Sequence, residues 1–180
     1  MSDYVSSQTP FGFYTNALDT VDCRDTESYE YNIKLTGSRS RYKYVRRDEV
    51  LKGQDIIDKY KIVINQSMCE HGCIPDKNTR FKVISVIKQL KPMEVCTQTY
   101  IVVCCASTEQ ESNNQLEYIK SKFVRALMVA RLFFKNISSD TFQFVPMQDF
   151  SLSWTDKKLY TKYGLNQDEI EYIEDLIKAL

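Results

Sequence analysis

The stretch that decides the fold is residues 94–135, EVCTQTYIVVCCASTEQESNNQLEYIKSKFVRALMVARLFFK. Its first part, 95–106, is rich in β-branched and aromatic residues and contains no charge, glycine or proline, which predicts a buried strand. Thr108 and Glu111 then have the spacing of a capping box, so a helix is expected to begin there. Apolar residues follow at helical spacing: Leu116, Ile119, Phe123, Leu127, Ala130, Phe134 and Ile137. The pattern predicts one long helix over 109–135.

The residues on either side of this stretch predict further strands and a helical tail. Residues 30–35 and 41–45 alternate like strands around the turn GSRSR, which predicts a hairpin. More strands are expected at 60–64, 81–89 and 142–145, and helices at 156–163 and 168–180. Strands without regular crossover helices predict an α+β fold: a mixed, mostly antiparallel sheet packed on one long central helix, with a helical C-terminal tail. The length of 180 residues fits a single domain, 1–180.

The composition narrows the class of protein. Lys and Arg together number 24, as do Asp and Glu, so a nucleic-acid site would have to come from local clustering of charge. The six cysteines include the adjacent pair Cys104 and Cys105, whose side chains point to opposite faces of a strand, so no disulfide framework is indicated. Without a secretory signal or an apolar run near 18 residues, the chain is expected to be reduced, soluble and cytoplasmic, with no membrane partner.

Several kinds of catalytic motif are absent from the sequence. Its five glycines lie far apart, so it contains no glycine-rich loop for a nucleotide or cofactor. Its four prolines are isolated, which excludes the [DN]-P-P-[YF] loop of amino-group DNA methyltransferases. The single histidine, His71, lies in a polar loop with no nucleophile elbow nearby. We therefore expect that this chain alone is not an enzyme and holds no cofactor.

A first alternative arises from Cys69, His71 and Cys73, which supply three side chains of the kinds that bind zinc. The Cys-x3-Cys spacing is less usual than Cys-x2-Cys, and no second pair of ligands follows. If these three side chains bound zinc, the chain would be a zinc-stabilised protein-interaction module.

A second alternative is a compact metal-dependent nuclease. Such enzymes use an aspartate followed later by an acidic-x-Lys pair, and Asp76 with Asp156-x-Lys158 matches this pattern in letters. The two parts are some eighty positions apart, and the second lies in a predicted surface helix, so a chance match is favoured.

Basic residues gather in the predicted hairpin. Period two would place Arg41 and Lys43 on one face of the second strand, with Arg39 on the turn, in a ribbon able to meet phosphates or enter a groove. The alternative is a solvated hairpin face without a ligand. The candidate DNA-binding residues are Lys34, Ser38, Arg39, Arg41, Lys43, Arg46 and Arg47 in the hairpin, with Asn65, Gln66, Lys77, Asn78 and Arg80 in the following loop.

Several segments together resemble the C-terminal target recognition domain of adenine-specific DNA methyltransferases and fused type II restriction-modification enzymes. The segments are SSQTPFGFYTN (6–16), IKLTGS (33–38), the Y-x-x-R-x-x-V run (44–50), DKYKIVI (58–64), CTQTYIVV (96–103), KSKFVRALM (120–128) and FVPMQDFSLSWTDKKLYTKYGLNQDEIEYIEDLI (144–177). They cover nearly the whole chain in the order of the family, and the last is the most specific.

The resemblance implies a role in choosing the DNA sequence to be methylated. A separate catalytic domain would transfer a methyl group from S-adenosylmethionine to an adenine that is flipped out of the duplex. The implied partners are double-stranded DNA and a methyltransferase catalytic domain or subunit, and the chain would be a fragment or split subunit of a larger enzyme. The segment PFGF is expected to dock on that domain or on the sheet, and the CEHGC loop falls where family members would differ in sequence choice.

Overall fold

The structure, a computed structural model, describes residues 1–67, 75–131 and 136–180. The strands within these ranges are β1 (Cys23–Arg24), β2 (Ile33–Thr36), β3 (Tyr42–Val45), β4 (Tyr60–Asn65), β5 (Ile87–Leu90), β6 (Glu94–Cys96) and β7 (Tyr100–Ala106). The α-helices are α1 (Ala17–Thr20), α2 (Glu109–Lys120), α3 (Lys122–Val129), α4 (Asp156–Tyr163) and α5 (Gln167–Leu176). Short 3-10 helices span Ser2–Tyr4, Ser38–Ser40, Arg47–Glu49, Gln54–Ile56 and Ser139–Phe142.

The strands form two sheets. The first has the order β1-β3-β2-β6, in which β2 and β6 are parallel and the other pairs are antiparallel. The second has the order β5-β4-β7 and is antiparallel throughout. The α+β class with mixed and antiparallel pairing is therefore confirmed, although the strands are divided between two sheets instead of one.

The division arises inside the segment predicted as a single strand. Residues 97–99 interrupt it, so β6 joins the first sheet and β7 joins the second. The Tyr100 amide donates to the Thr97 carbonyl at 3.1 Å, and the Thr97 hydroxyl accepts from the Thr99 amide at 3.4 Å. Hydroxyl side chains that bond the nearby backbone in this way compete with the sheet ladder and favour a turn.

The single long helix is not confirmed. Within the described part of 109–135, α2 ends at Lys120 and α3 begins at Lys122, because Ser121 has an extended backbone with φ −57° and ψ 149°. The Ser121 hydroxyl donates to the Tyr118 carbonyl at 2.7 Å and accepts from the Val124 amide at 3.2 Å, so one side chain closes α2 and caps α3.

Two other predicted strands differ in the structure. Residues 81–86 lie outside the strands, and Ile84 donates to the Lys82 carbonyl at 2.9 Å around Val83, whose φ is 65°. This is a γ-turn at a fully buried β-branched residue, a strained conformation that interrupts the strand before β5. The strand expected at 142–145 is replaced by the 3-10 helix Ser139–Phe142 and a turn.

Both helices of the predicted tail are present, but the second ends at Leu176 instead of 180, because Ile177 has an extended backbone and forms a bridge to Phe81. Thr155 caps α4, Gly164 ends it with a left-handed φ of 65°, and Asn166 and Glu169 form a reciprocal capping box on α5. Ile177 is buried, whereas the apolar residues of α5 itself are only half-buried. Among the described residues, no helix is long and apolar enough to cross a membrane.

The second sheet separates two apolar clusters. Ile62, Ile64, Ile101 and Val103 face the helix-side core, which also includes residues of α2, α3 and α4. Val63 and Val102 face the hairpin-side core, which lies against β2 and β3 of the first sheet. Adjacent Cys104 and Cys105 accordingly lie against different clusters, and the described cysteines are free thiols. Phe11 and Phe13 are buried in the hairpin-side core, so the PFGF segment packs on the sheet of its own chain.

Candidate nucleic-acid interface

The predicted hairpin is present and ends in an unusual turn. Strands β2 and β3 pair from Ile33↔Val45 to Thr36↔Tyr42. At the turn, the Arg41 amide donates to the Ser38 carbonyl at 3.1 Å, while Arg39 and Ser40 have left-handed φ values of 53° and 59°. Two consecutive left-handed residues match the right-handed twist of a hairpin, but glycine or asparagine usually occupies these positions. The turn thus places Arg39 at the end of the hairpin in a left-handed backbone conformation that residues other than glycine rarely adopt.

The hairpin tip, Ser38–Ser40, has one exposed cation of its own and one half-buried cation beside it. Arg39 is exposed, and within the described residues no carboxylate pairs with it. Lys88 of β5 reaches the tip from the second sheet: its Nζ donates to the Ser40 hydroxyl at 2.9 Å and lies 5.0 Å from the centre of the Tyr100 ring. Lys88 likewise has no ion pair in the described part of the chain. The tip therefore carries two cations without a counter-charge.

The next two cations along β3 have weak, exposed partners. Arg41 pairs with Asp19 at 2.8 Å, and both side chains are more than half exposed. Lys43 lies 4.0 Å from Asp25, whose side chain is 88% exposed. Exposed pairs of this kind contribute little to stability, so a phosphate could replace either carboxylate at small cost.

The base of the hairpin is neutralised. Arg46 contacts Asp22, Asp48 and Glu49 at 2.7, 3.0 and 2.8 Å, and its hydrogen bonds to Asp48 and then to Tyr31 raise the pKa of Arg46. Arg47 forms a bidentate pair with Asp58 at 2.9 and 2.6 Å, which raises the pKa of Arg47. These guanidinium groups have their donors occupied by carboxylates of the same chain, and they are poorly placed to meet DNA.

The two faces of β3 also differ from the basic face that the sequence predicts for this strand. Lys43 shares its face with buried Val45 and pairs with buried Leu35, so it lies at the margin of the core-facing side. The opposite face carries Lys34, Tyr42 and Tyr44: the Lys34 ammonium lies 4.9 Å from the centre of the Tyr42 ring, and the two tyrosine rings are edge-on at 6.0 Å. Lys34 also pairs with Glu94 at 3.0 Å, and that hydrogen bond raises its pKa.

The first two candidate base readers serve the fold. The Asn65 side chain accepts from the Val86 amide at 2.9 Å and donates to the Ser67 carbonyl. Gln66 is buried, and its backbone bonds Thr99 and Ile137 at 3.0 and 2.9 Å. Neither side chain is presented to solvent in the way that base reading requires.

The other candidate readers lie in a turn fixed by Asp76. Its carboxylate accepts from the Asn78 and Arg80 amides at 2.8 and 3.1 Å, and these bonds, first that of Arg80, lower the pKa of Asp76. Lys77 and Asn78 are exposed, whereas Arg80 lies 3.7 Å from Asp175 of α5. The turn contacts the C-terminal tail, and no hydrogen bond or ion pair between described residues joins it to the hairpin.

The two aspartates of the nuclease pattern have structural partners. Besides holding its own turn, Asp76 pairs with Lys178 at 3.2 Å. Asp156 accepts from the Lys122 and Phe123 amides at 3.1 and 2.8 Å, at the start of α3. The part of the chain that the structure describes contains no group of three or more His, Cys, Asp or Glu side chains arranged to hold a metal ion. The zinc candidates Cys69, His71 and Cys73 lie outside the described residues.

The final segment of the resemblance forms a polar and aromatic network. Gln148 donates to the Tyr163 and Tyr118 hydroxyls at 2.8 and 3.4 Å and accepts from Lys162 at 2.6 Å. The network joins α4 to α2 through these contacts. The segment that carries the most specific part of the resemblance therefore contributes to packing, and it lies outside the hairpin.

Comparisons with protein families, curated proteins and solved structures find no match for this chain.

Lys88 was not among the residues predicted from the sequence, although the structure places it beside the hairpin tip. The sequence placed it in a strand, where a lysine has no distinguishing neighbour. Only the register Val63↔Lys88 turns its side chain toward the first sheet, where it meets the hairpin tip. The interface that geometry supports consists of Arg39 and Lys88, flanked by Arg41 and Lys43.

Proposed function

We propose that this chain binds duplex DNA through the hairpin tip, as the target recognition region of an adenine-specific DNA methyltransferase. The observation that supports the proposal best is the pair of uncompensated cations, Arg39 and Lys88, on either side of Ser40. A chain with equal numbers of acidic and basic residues has paired most of the other cations in its hairpin. Cations without a carboxylate partner, one exposed and one half-buried, at the end of a hairpin are suited to phosphate.

The shape of the element supports the same ligand. A two-stranded ribbon fits the B-DNA major groove, which is about 12 Å wide. The tip would enter first, with Arg39 at the end and with Arg41 and Lys43 exchanging their exposed carboxylates for phosphate. Arg46 and Arg47 would then keep the hairpin base folded.

The methyltransferase part of the proposal is supported by the resemblance of the sequence segments. Methyl transfer and S-adenosylmethionine binding would belong to a separate catalytic domain or subunit, because this sequence has no cofactor loop or [DN]-P-P-[YF] motif. This chain would contribute affinity and the choice of sequence.

The test is fluorescence-anisotropy binding of the chain to mixed-sequence duplex DNA over a salt series. We expect the double variant Arg39→Ala/Lys88→Ala to bind more weakly and to reduce the slope of log K against log[salt] by about 2, one unit for each lost phosphate contact. The variant should fold normally, since neither side chain is in an ion pair of the described residues.

Lys157→Ala is the matched control, because Lys157 is an exposed lysine on α4 without a side-chain partner in the described residues. It should leave both affinity and slope unchanged. Equal affinities and slopes for the wild type and the double variant would refute the hairpin tip as the DNA contact.

A further inference from the structure

A groove between α3 and α5 leaves apolar surface uncovered. Its volume is about 590 Å³, and its walls include Phe123 and Leu127 of α3, Ala130 directly after it, and Tyr172, Ile173 and Leu176 of α5. No residue of α5 is buried, although its apolar side chains recur at helical spacing. Tyr172 is 66% exposed. An amphipathic helix whose apolar face stays half-covered in the folded chain has room for another apolar element.

The charge at the groove has one sign. Helix α5 contains the five carboxylates Asp168, Glu169, Glu171, Glu174 and Asp175 and no basic residue. Asp168 and Glu169 line the groove, and none of the described residues that line it is a Lys or Arg. Glu174 is held by Lys122 at 2.5 Å, and Asp175 lies 3.7 Å from Arg80, whereas Asp168 has no ion pair among the described residues. The rim therefore keeps uncompensated negative charge.

We propose that the α3/α5 groove binds an amphipathic helix with a basic polar face from a partner protein. Apolar side chains of that helix would fill the groove between Leu127 and Ile173, and its Lys or Arg residues would meet the carboxylates of α5. A second copy of this chain is a poorer occupant, because a two-fold contact across the groove would bring one acidic α5 against another. The proposal uses none of the hairpin residues, so it is independent of DNA binding.

The probe is a fluorescein-labelled peptide of about 14 residues with leucine and lysine at amphipathic helical spacing, long enough to cover α5. Its control is the same peptide with glutamate in place of every lysine. We expect the lysine peptide to bind the full chain at least tenfold more tightly than the glutamate peptide, with an affinity that falls as salt rises. Hydrogen exchange should show new protection in α3 and α5.

Two surface variants locate the site. Asp168→Lys and Tyr172→Ala should each weaken binding of the lysine peptide about fivefold or more, and neither removes a buried side chain. Tyr29→Ala is the matched control, because Tyr29 is 97% exposed and does not line the groove. Failure of the lysine peptide to bind, equal binding of both peptides, or equal affinities for the wild type and both groove variants would overturn the proposal.

Discussion

A single buried lysine, Lys61, places an ionisable group inside the second sheet. Lys61 of β4 is fully buried, and its ammonium group donates to the carbonyls of Ile56, Ile57, Lys59 and Lys91 at 2.8 to 3.2 Å. Burial lowers the pKa of Lys61 to about 8. The side chain thereby joins the turn before β4 to the turn between β5 and β6, with carbonyl dipoles in place of a counter-ion.

Lys61 should make stability rise with pH above neutrality. Between about 8 and 10.5 the unfolded chain holds the lysine proton and the folded chain has lost it, so raising the pH favours folding in that window. Below pH 8 both states hold the proton, and this contribution is constant. Relative to Lys61→Met, the wild type should gain about 1 kcal/mol between pH 7 and pH 9, as measured by urea unfolding.

The comparison with Lys61→Met removes the effect of the thiols. Burial raises the pKa of Cys96 to about 12 and also raises that of Cys105, so both thiols lower stability above about pH 9. The charge of Lys61 lowers the pKa of both thiols, but up to pH 9 the buried thiols of the folded chain stay mostly protonated in both proteins, so their effect largely cancels over that range. A difference in unfolding free energy that stays constant from pH 7 to pH 9 would contradict the role assigned to Lys61.

At the scale of elements, the junction of α2 and α3 is held by residues from two parts of the chain. The Ser121 hydroxyl caps the start of α3. The carboxylate of Asp156, the first residue of α4, accepts hydrogen bonds from the amides of Lys122 and Phe123, the first two residues of α3. Orphan donors at a helix start are satisfied in this way by side-chain oxygens. The kink therefore depends on α4 being docked.

Removing the Asp156 cap should destabilise the chain. Asp156→Ala is expected to lower the unfolding free energy by about 1 to 2 kcal/mol, whereas Asp156→Asn, which keeps one acceptor oxygen, should lose less. Thermal unfolding followed by circular dichroism measures both. Asp25→Ala is the control, since that carboxylate is 88% exposed and lies 4.0 Å from Lys43; a loss as large as that of Asp156→Ala would argue against the cap.

The sequence predicts elements well where one local signal decides them. The capping box of Asn166 with Glu169 and the stop at Gly164 place the end of α4 and the start of α5 within one residue, whereas the end of α5 was predicted four residues too late. The break at Ser121 is hidden from periodicity, because Phe123 and Leu127 continue the apolar stripe of α2 across it. Thr97 and Thr99 are residues that can favour a turn, but the apolar residues on both sides of them led to the prediction of one continuous strand. In both cases a hydrogen bond between a side chain and the nearby backbone interrupts an element that the longer apolar pattern predicts to be continuous.

The candidate site was less predictable, because its electrostatics depend on partners distant in sequence. Six basic positions in the hairpin suggested a continuous basic face, yet five of them pair with carboxylates in the fold: Glu94, Asp19, Asp25, Asp22 and Asp58. Lys88, which adds a cation to the tip, comes from another sheet. Charge counting along the sequence finds the cluster but cannot say which of its members remain unpaired.

At the scale of the whole molecule, the two cores share one sheet. Alternate residues of β4 and β7 face opposite cores, so loss of packing on one side removes support from the other. We therefore expect the chain to unfold in a single transition.

A substitution in the hairpin-side core should be detected in the helical half. Phe11→Ala empties a fully buried position and should lower the unfolding free energy by about 3 to 5 kcal/mol. Trp154 is the only tryptophan and packs against the helix-side core, so its fluorescence should report the same lowered urea midpoint. Tyr14→Ala, at a residue that is 67% exposed, should change stability by less than about 0.5 kcal/mol. An unchanged Trp154 midpoint in Phe11→Ala would show that the two cores unfold separately.

The order of the two cores along the chain has a consequence for synthesis on the ribosome. The buried residues of the hairpin-side core that the structure describes all lie between Phe11 and Val102, whereas the helix-side core needs residues as late as Ile177. A nascent chain that has just exposed Val102 can assemble the first core while the opposite face of the shared sheet is still bare. At about 5 to 20 residues per second, the 75 residues from Val102 to Ile177 take about 4 to 15 seconds to follow. During that interval Ile62, Ile64 and Ile101 form an apolar surface that a chaperone could cover.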